Sequence, residues 1–176
     1  MRRDVMNYYI HFGKLYQKKT NQQETCLCYI KGPFYSTNKT IISSKDNSIL
    51  KAEIVQKKKD GKLDSRKYLL TDEADHIVAE GQLEYAEGAD PWPVCHAPRV
   101  DRLLIKMDDS SYELKMLNSQ NFVMEDQQKC SVMEIIHNDI GGGWNTVIHR
   151  DFDSSVVMGL FVFSRYLDKE NEFIVV

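Results

Sequence analysis

Asp151-Phe-Asp-Ser-Ser-Val-Val-Met-Gly-Leu-Phe-Val-Phe-Ser-Arg-Tyr-Leu-Asp168 is the stretch on which the fold turns. Asp153-Ser154-Ser155 supplies N-cap candidates, and the apolar run Val156–Phe163 then leads through Ser164-Arg-Tyr-Leu-Asp168 to Lys169-Glu-Asn171. A run of this length predicts a helix, although its β-branched valines weaken the intrinsic preference. Apolar side chains leave its axis in nearly every direction, the pattern of a helix surrounded by protein. At roughly 1.5 Å per residue, Ser154 to Leu167 covers about 20 Å, and a bilayer span needs about 20 apolar residues. Burying those side chains contributes on the order of 10–20 kcal/mol before entropy, as an upper bound. The helix is therefore expected at the centre of the core.

Upstream, from Met6 to Arg150, short alternating or apolar runs are separated by Gly, Asn, Asp, Ser and Lys clusters, which is the pattern of antiparallel strands and their turns. The runs are Tyr8–Phe12, Thr25–Ile30, Lys39–Ile42, Ile49–Val55, Lys67–Leu70, His76–Ala79, Leu103–Met107, Tyr112–Leu117, Asn121–Met124, Ser131–Ile136 and Trp144–His149. Turn chemistry stands at Asp46-Asn47, Asp60-Gly61, Asp108-Asp109-Ser110, Asn118-Ser119-Gln120 and Gly141-Gly142-Gly143. Gly88–Pro98 holds three of the four prolines and is expected as an extended loop. Phe173–Val176 reads as a last strand that would close the sheet. A barrel of about eight strands is filled by its own side chains, so one enclosing a helix needs more. The runs give about a dozen. The expected fold is mainly β (α+β): one domain over residues 1–176, a closed antiparallel barrel of about twelve strands around a central hydrophobic C-terminal helix.

This layout, with the segment from Asp151 to Asp168 and its trailing strand, resembles the tubby C-terminal-like superfamily, which includes tubby domains, phospholipid scramblases and LURP-one-related proteins. The resemblance covers nearly the whole chain. It implies a twelve-stranded barrel around a near-C-terminal helix in a compact, single-domain relative, and it carries no lipid-contacting residue onto this sequence.

With 176 residues, 28% charged and 42% hydrophobic, the chain has ordinary globular composition. Its formal charge of −3 argues against a general nucleic-acid binder. No apolar leader follows Met1-Arg-Arg-Asp-Val-Met6, so a cytoplasmic location with reduced thiols is expected.

Catalytic chemistry is not indicated. His149-Arg150-Asp151 matches three letters of a kinase catalytic loop, without the phosphate loop or strand lysine such an enzyme needs. His149 is read as ending a strand, with Asp151 or Asp153 near the helix N-terminus. Cys26 and Cys28 would share one face of a strand, and Cys95-His96 is the lone adjacent Cys-His pair, yet neither shows zinc-knuckle spacing. The triple glycine is read as a turn, because no lysine and helix follow it as a phosphate cradle requires. Trp92 and Trp144 are expected to divide between the core and the proline-rich loop. No metal, cofactor or transmembrane segment is called for.

Lys57, Lys58, Lys59, Lys62, Arg66 and Lys67 form a basic cluster whose only acidic interruptions are Asp60 and Asp64. Such a run ordinarily lines a solvated turn, and it is also what an anionic headgroup would meet. The expectation is a non-enzymatic binding module for anionic phospholipid, peripheral at a membrane surface. The alternative is a protein-interaction or structural module that binds no lipid.

Overall fold

The computed structural model describes residues 5–17, 24–33, 36–56, 66–85 and 100–171. Its strands are β1 (Met6–His11), β2 (Lys14–Gln17), β3 (Thr25–Lys31), β4 (Lys39–Ser43), β5 (Ile49–Gln56), β6 (Arg66–Thr71), β7 (Ile77–Tyr85), β8 (Val100–Met107), β9 (Ser110–Met116), β10 (Phe122–Asp126), β11 (Ser131–His137) and β12 (Trp144–Ile148). One helix, α1 (Ser154–Glu170), follows them. Each strand pairs antiparallel with its sequence neighbours, and β1 pairs with β12, Met6 opposite Ile148 and Ile10 opposite Trp144, so the twelve strands form a closed barrel. Closure leaves no edge among these strands on which another chain could add. It needs nothing from Phe173–Val176, which lie outside the described residues.

Side chains alternate as period-two pairing demands. Phe122, Met124 and Asp126 of β10 point inward, as do Tyr112 and Leu114 of β9. β2 is not among the strands expected from the sequence, because its four residues bury only Leu15. From the sequence β7 is expected to end at Ala79. The strand continues to Tyr85 with Gly81 and Leu83 inward, while Glu80 and Glu84 outside pair with Lys67 and Arg102. A glycine inside and carboxylates outside make a weak hydrophobic alternation.

The helix fills the barrel. Asp153 caps it, its carboxylate accepting from the Ser155 N–H at 2.9 Å. Every residue from Val157 to Ser164 is buried. Phe161 meets Trp144 of β12 edge to face at 5.1 Å, and Phe163 meets Tyr68 of β6 at 5.7 Å. Gly159 lies against Leu70 of β6: a Cβ there would stand 2.6 Å from Leu70 Cδ2, so any larger residue would require the buried Leu70 side chain to shift. At the far end the Asn171 side chain binds β8 like a strand partner, accepting from Val100 N (2.8 Å) and donating to Val100 O (3.2 Å).

Across the outer wall, Glu113 of β9 binds Lys129 (2.7 Å), Arg102 of β8 (3.1 Å) and Lys115 (3.3 Å), and Lys115 also reaches Glu125 of β10 at 2.8 Å. The Lys129 hydrogen bond above all, then Lys115 and Arg102, hold the Glu113 carboxyl down to about 2 from an ordinary 4.5. A depressed carboxylate stabilises the fold above its unfolded value and loses that contribution as pH falls through the folded one. Glu113→Gln is accordingly expected to be less stable than the parent at neutral pH. Urea midpoints should show the two proteins converging between pH 4.5 and about 2. A gap independent of pH would mean the network contributes through packing alone.

Candidate functional site

In a barrel whose strands follow sequence order, successive turns alternate between the two ends. The helix enters at the end formed by turns 44–48, 72–76 and 108–109 and leaves at the end formed by turns 12–13, 117–121 and 138–143. These are called here the proximal and distal ends. Proximal turns carry Asp46, Asp72, Glu73, Asp75, Asp108 and Asp109 against Lys45 and, in the β10–β11 turn at the same end, Lys129, whereas Asp139 is the lone acid of the three distal turns.

Turn chemistry accounts for the difference. Asp46 accepts from Ser48 N (3.1 Å), and Asp72 from Ala74 N (2.9 Å) and His76 N (2.8 Å), so carboxylates build the proximal turns. At the distal end the same role falls to the neutral Asn118, accepting from Gln120 N and Asn121 N, each at 2.9 Å, and to glycines.

The distal rim carries the cations Lys14, Lys31, Lys39, Arg66, Arg165 and Lys169, of which Arg66 is paired with Glu170 and Arg165 with Asp168. Lys39 is pushed below the ordinary lysine range, by burial first and then by the charge of Lys169. Tyr8, near the proximal end, is pushed above its ordinary range, by burial first and then by Asp151 and Asp153. The helix dipole complements the charge of the two ends, its positive N-terminus lying at the acidic end and its negative C-terminus at the basic one.

Lys57, Lys58, Lys59 and Lys62 lie outside the described residues. The residues that flank them, Gln56 and Arg66, face each other at the distal end. Arg66 forms two hydrogen bonds to Glu170 (2.8 and 3.0 Å), and the Tyr68 hydroxyl adds a third at 3.2 Å, clamping the last helical turn to β6. Lys67 pairs with Glu80 of β7 at 2.6 Å. Both described members of the cluster therefore have carboxylate partners within the fold.

Arg165 is a functional candidate that the sequence reading passed over. Its guanidinium lies 5.2 Å from the Trp144 ring centroid and binds Asp168 at 2.9 Å. One of its terminal nitrogens is buried without a hydrogen-bond partner among the described residues. Trp144 donates to Gln120 O (3.2 Å) and meets His137 edge to face at 5.2 Å, so it joins the core to the distal rim; Trp92 lies outside the described residues.

Other candidates resolve into structure. His149 N continues β12 by donating to Val132 O (2.9 Å), and Arg150 donates to the Tyr112 hydroxyl at 2.5 Å. Cys26 and Cys28 do not share an environment, because a bulge opposite Leu15 and Tyr16 inserts Leu27 between them. Cys28 is buried, its thiol pushed up to about 12 chiefly by burial, while Cys26 is half-buried beside Ser44. Cys95 and His96 lie outside the described residues. Among the described residues no three His, Cys, Asp or Glu side chains gather to hold a metal, and no helix is long and apolar enough to cross a membrane.

The sequence matches no known family profile and no curated protein. Among solved structures, the X-ray structure of the Arabidopsis thaliana protein AT5G01750 is similar, with a TM-score of 0.56 and 10% identity over 97% of this chain and 94% of that one. The chain thus shares its fold, a barrel around a C-terminal helix, with that plant protein along nearly its full length.

Proposed function

We propose that this chain is a non-enzymatic binding module, a compact relative of the tubby C-terminal-like proteins, that meets an anionic phospholipid surface through its distal end. It would act in the cytoplasm, peripherally at a membrane. The supporting observation is an axial imbalance of charge among the described residues: acids outnumber cations in the turns where the helix enters, and cations outnumber acids where it leaves. A negative surface attracts one end, repels the other, and so orients the barrel. The flanks of the lysine-rich segment stand on the attracted end.

Co-sedimentation with phosphatidylserine-containing vesicles tests this reading. Changing Lys57, Lys58 and Lys59 to Glu is expected to weaken binding at least tenfold, at about 1 kcal/mol per cation near an anionic surface. Equal binding by parent and variant, or none by either, would remove the lysine cluster from the function. The second reading, a protein-interaction module, draws on half-exposed apolar side chains of the barrel wall such as Tyr29 and Ile136. It expects capture of a specific protein partner that is indifferent to lipid.

A further inference from the structure

Three large apolar side chains stand in water at the distal end: Phe12 (89% exposed), Ile140 (88%) and Leu117 (61%). They occupy the turns β1–β2, β11–β12 and β9–β10, which are consecutive around the barrel. Turns ordinarily take polar residues or glycine, so three bulky apolar groups on adjoining tips are not explained by folding. Phe12 is the sharpest case. It holds a left-handed backbone at φ +47°, shared among non-glycines only with Asn47, Asp75, Asp108 and Lys129 among the described residues. That conformation costs a bulky apolar residue energy, and among the described residues its ring meets that of its neighbour His11, at 4.0 Å.

The tips are tied into one rim. Tyr9 donates its hydroxyl to Gly142 O (2.9 Å), joining the β1–β2 hairpin to the β11–β12 turn. Trp144 Nε1 donates to Gln120 O (3.2 Å) and His137 N to Asn121 Oδ1 (2.8 Å), joining that turn to β9–β10. Lys14, exposed two residues beyond Phe12, supplies positive charge beside them; Arg165 beneath the rim is paired with Asp168, and Asp139, next to Ile140, is an exposed carboxylate. A preorganised apolar rim with Lys14 beside it, on the end that also carries Lys31 and Lys169, suits the boundary between headgroups and acyl chains of an anionic bilayer. A soluble anion would use the cations and leave the three apolar tips in water.

We propose that Phe12, Leu117 and Ile140 form an insertion surface that enters the headgroup–acyl boundary of an anionic lipid bilayer, with the barrel axis directed into the membrane and the acidic end turned away. This rests on the lipid-surface reading of the distal end and adds the apolar step that makes binding persist in salt.

The test uses the full chain and vesicles of phosphatidylcholine with phosphatidylserine, at low and at physiological salt. The triple variant Phe12→Asn, Leu117→Ser, Ile140→Ser is expected to melt with the parent, since the three side chains are exposed. It should keep low-salt binding, where charge suffices, and lose at least about 100-fold in partitioning at physiological salt, since three apolar groups inserted even in part carry that much. A separate Phe12→Trp variant should show added fluorescence, relative to the parent, that is quenched by bromine-labelled acyl chains. Parent-like partitioning of the triple variant in salt, or an unquenched Phe12→Trp side chain on bound protein, would overturn insertion and leave the electrostatic reading standing. Absence of parental binding to these vesicles at either salt would overturn both.

Discussion

Phe163→Ala is expected to lower the unfolding free energy by about 3–5 kcal/mol, measured from the urea midpoint at unchanged slope. Phe163 is fully buried on the central helix, between Tyr68 of β6 and the Tyr166 ring one turn on. The cost falls at the high end because the surroundings are poorly able to collapse. A closed ladder of twelve strands encircles the helix, and drawing one wall inward strains its hydrogen bonds all the way round. With domain stabilities of about 5–15 kcal/mol, the variant would stand close to unfolding. A loss below about 1 kcal/mol would mean that the barrel relaxes around the gap as an open sheet could.

Gly143→Ala should cost about 3 kcal/mol, against about 1–2 kcal/mol for Gly141→Ala in the same turn. Both glycines hold left-handed backbone, φ +78° and +88° respectively, so both variants bear the penalty of a Cβ there. Their surroundings differ. A Cβ on Gly143 would lie 2.6 Å from the Ile10 carbonyl oxygen and 2.9 Å from the Tyr9 hydroxyl, whereas one on Gly141 meets nothing within 4 Å. The obstacle at Gly143 is backbone of β1 at the seam where the barrel closes, so relief requires moving a strand. Paired urea titrations separate the conformational cost from the steric one. Equal losses would show that the seam yields. Because Gly143 ends the turn that carries Ile140, its replacement should also shift that tip relative to Phe12 and weaken vesicle binding in salt.

The central helix was legible because its apolar run is continuous, and Val156–Phe163 admits no face that could be left to water. Most strands were legible for a related reason: half-buried walls leave alternation in residues such as Ile49–Val55 and Tyr112–Leu117. β2 and the second half of β7 were not, since one inward leucine in four residues and a glycine behind a row of glutamates leave little hydrophobic period to read.

The candidate site was legible only in part. Local density drew attention to Lys57–Lys67, yet the described members Arg66 and Lys67 are matched by Glu170 and Glu80, residues 104 and 13 positions away in the chain. Phe12 and Leu117 drew none because each reads as the last apolar residue of a strand, and Ile140 because it is a lone apolar residue beside a turn.

By itself the sequence determined the element types, the burial of the helix and the near-neutral total charge, all of which follow from periodicity and composition. Tertiary structure decided which charges and which exposed side chains share an end. Acidic and uncharged turns interleave along the chain and average out, and the up-and-down order of the barrel sends alternate turns to opposite ends. Position in space there depends on the parity of the turn, a property of the closed topology that no local stretch of residues carries.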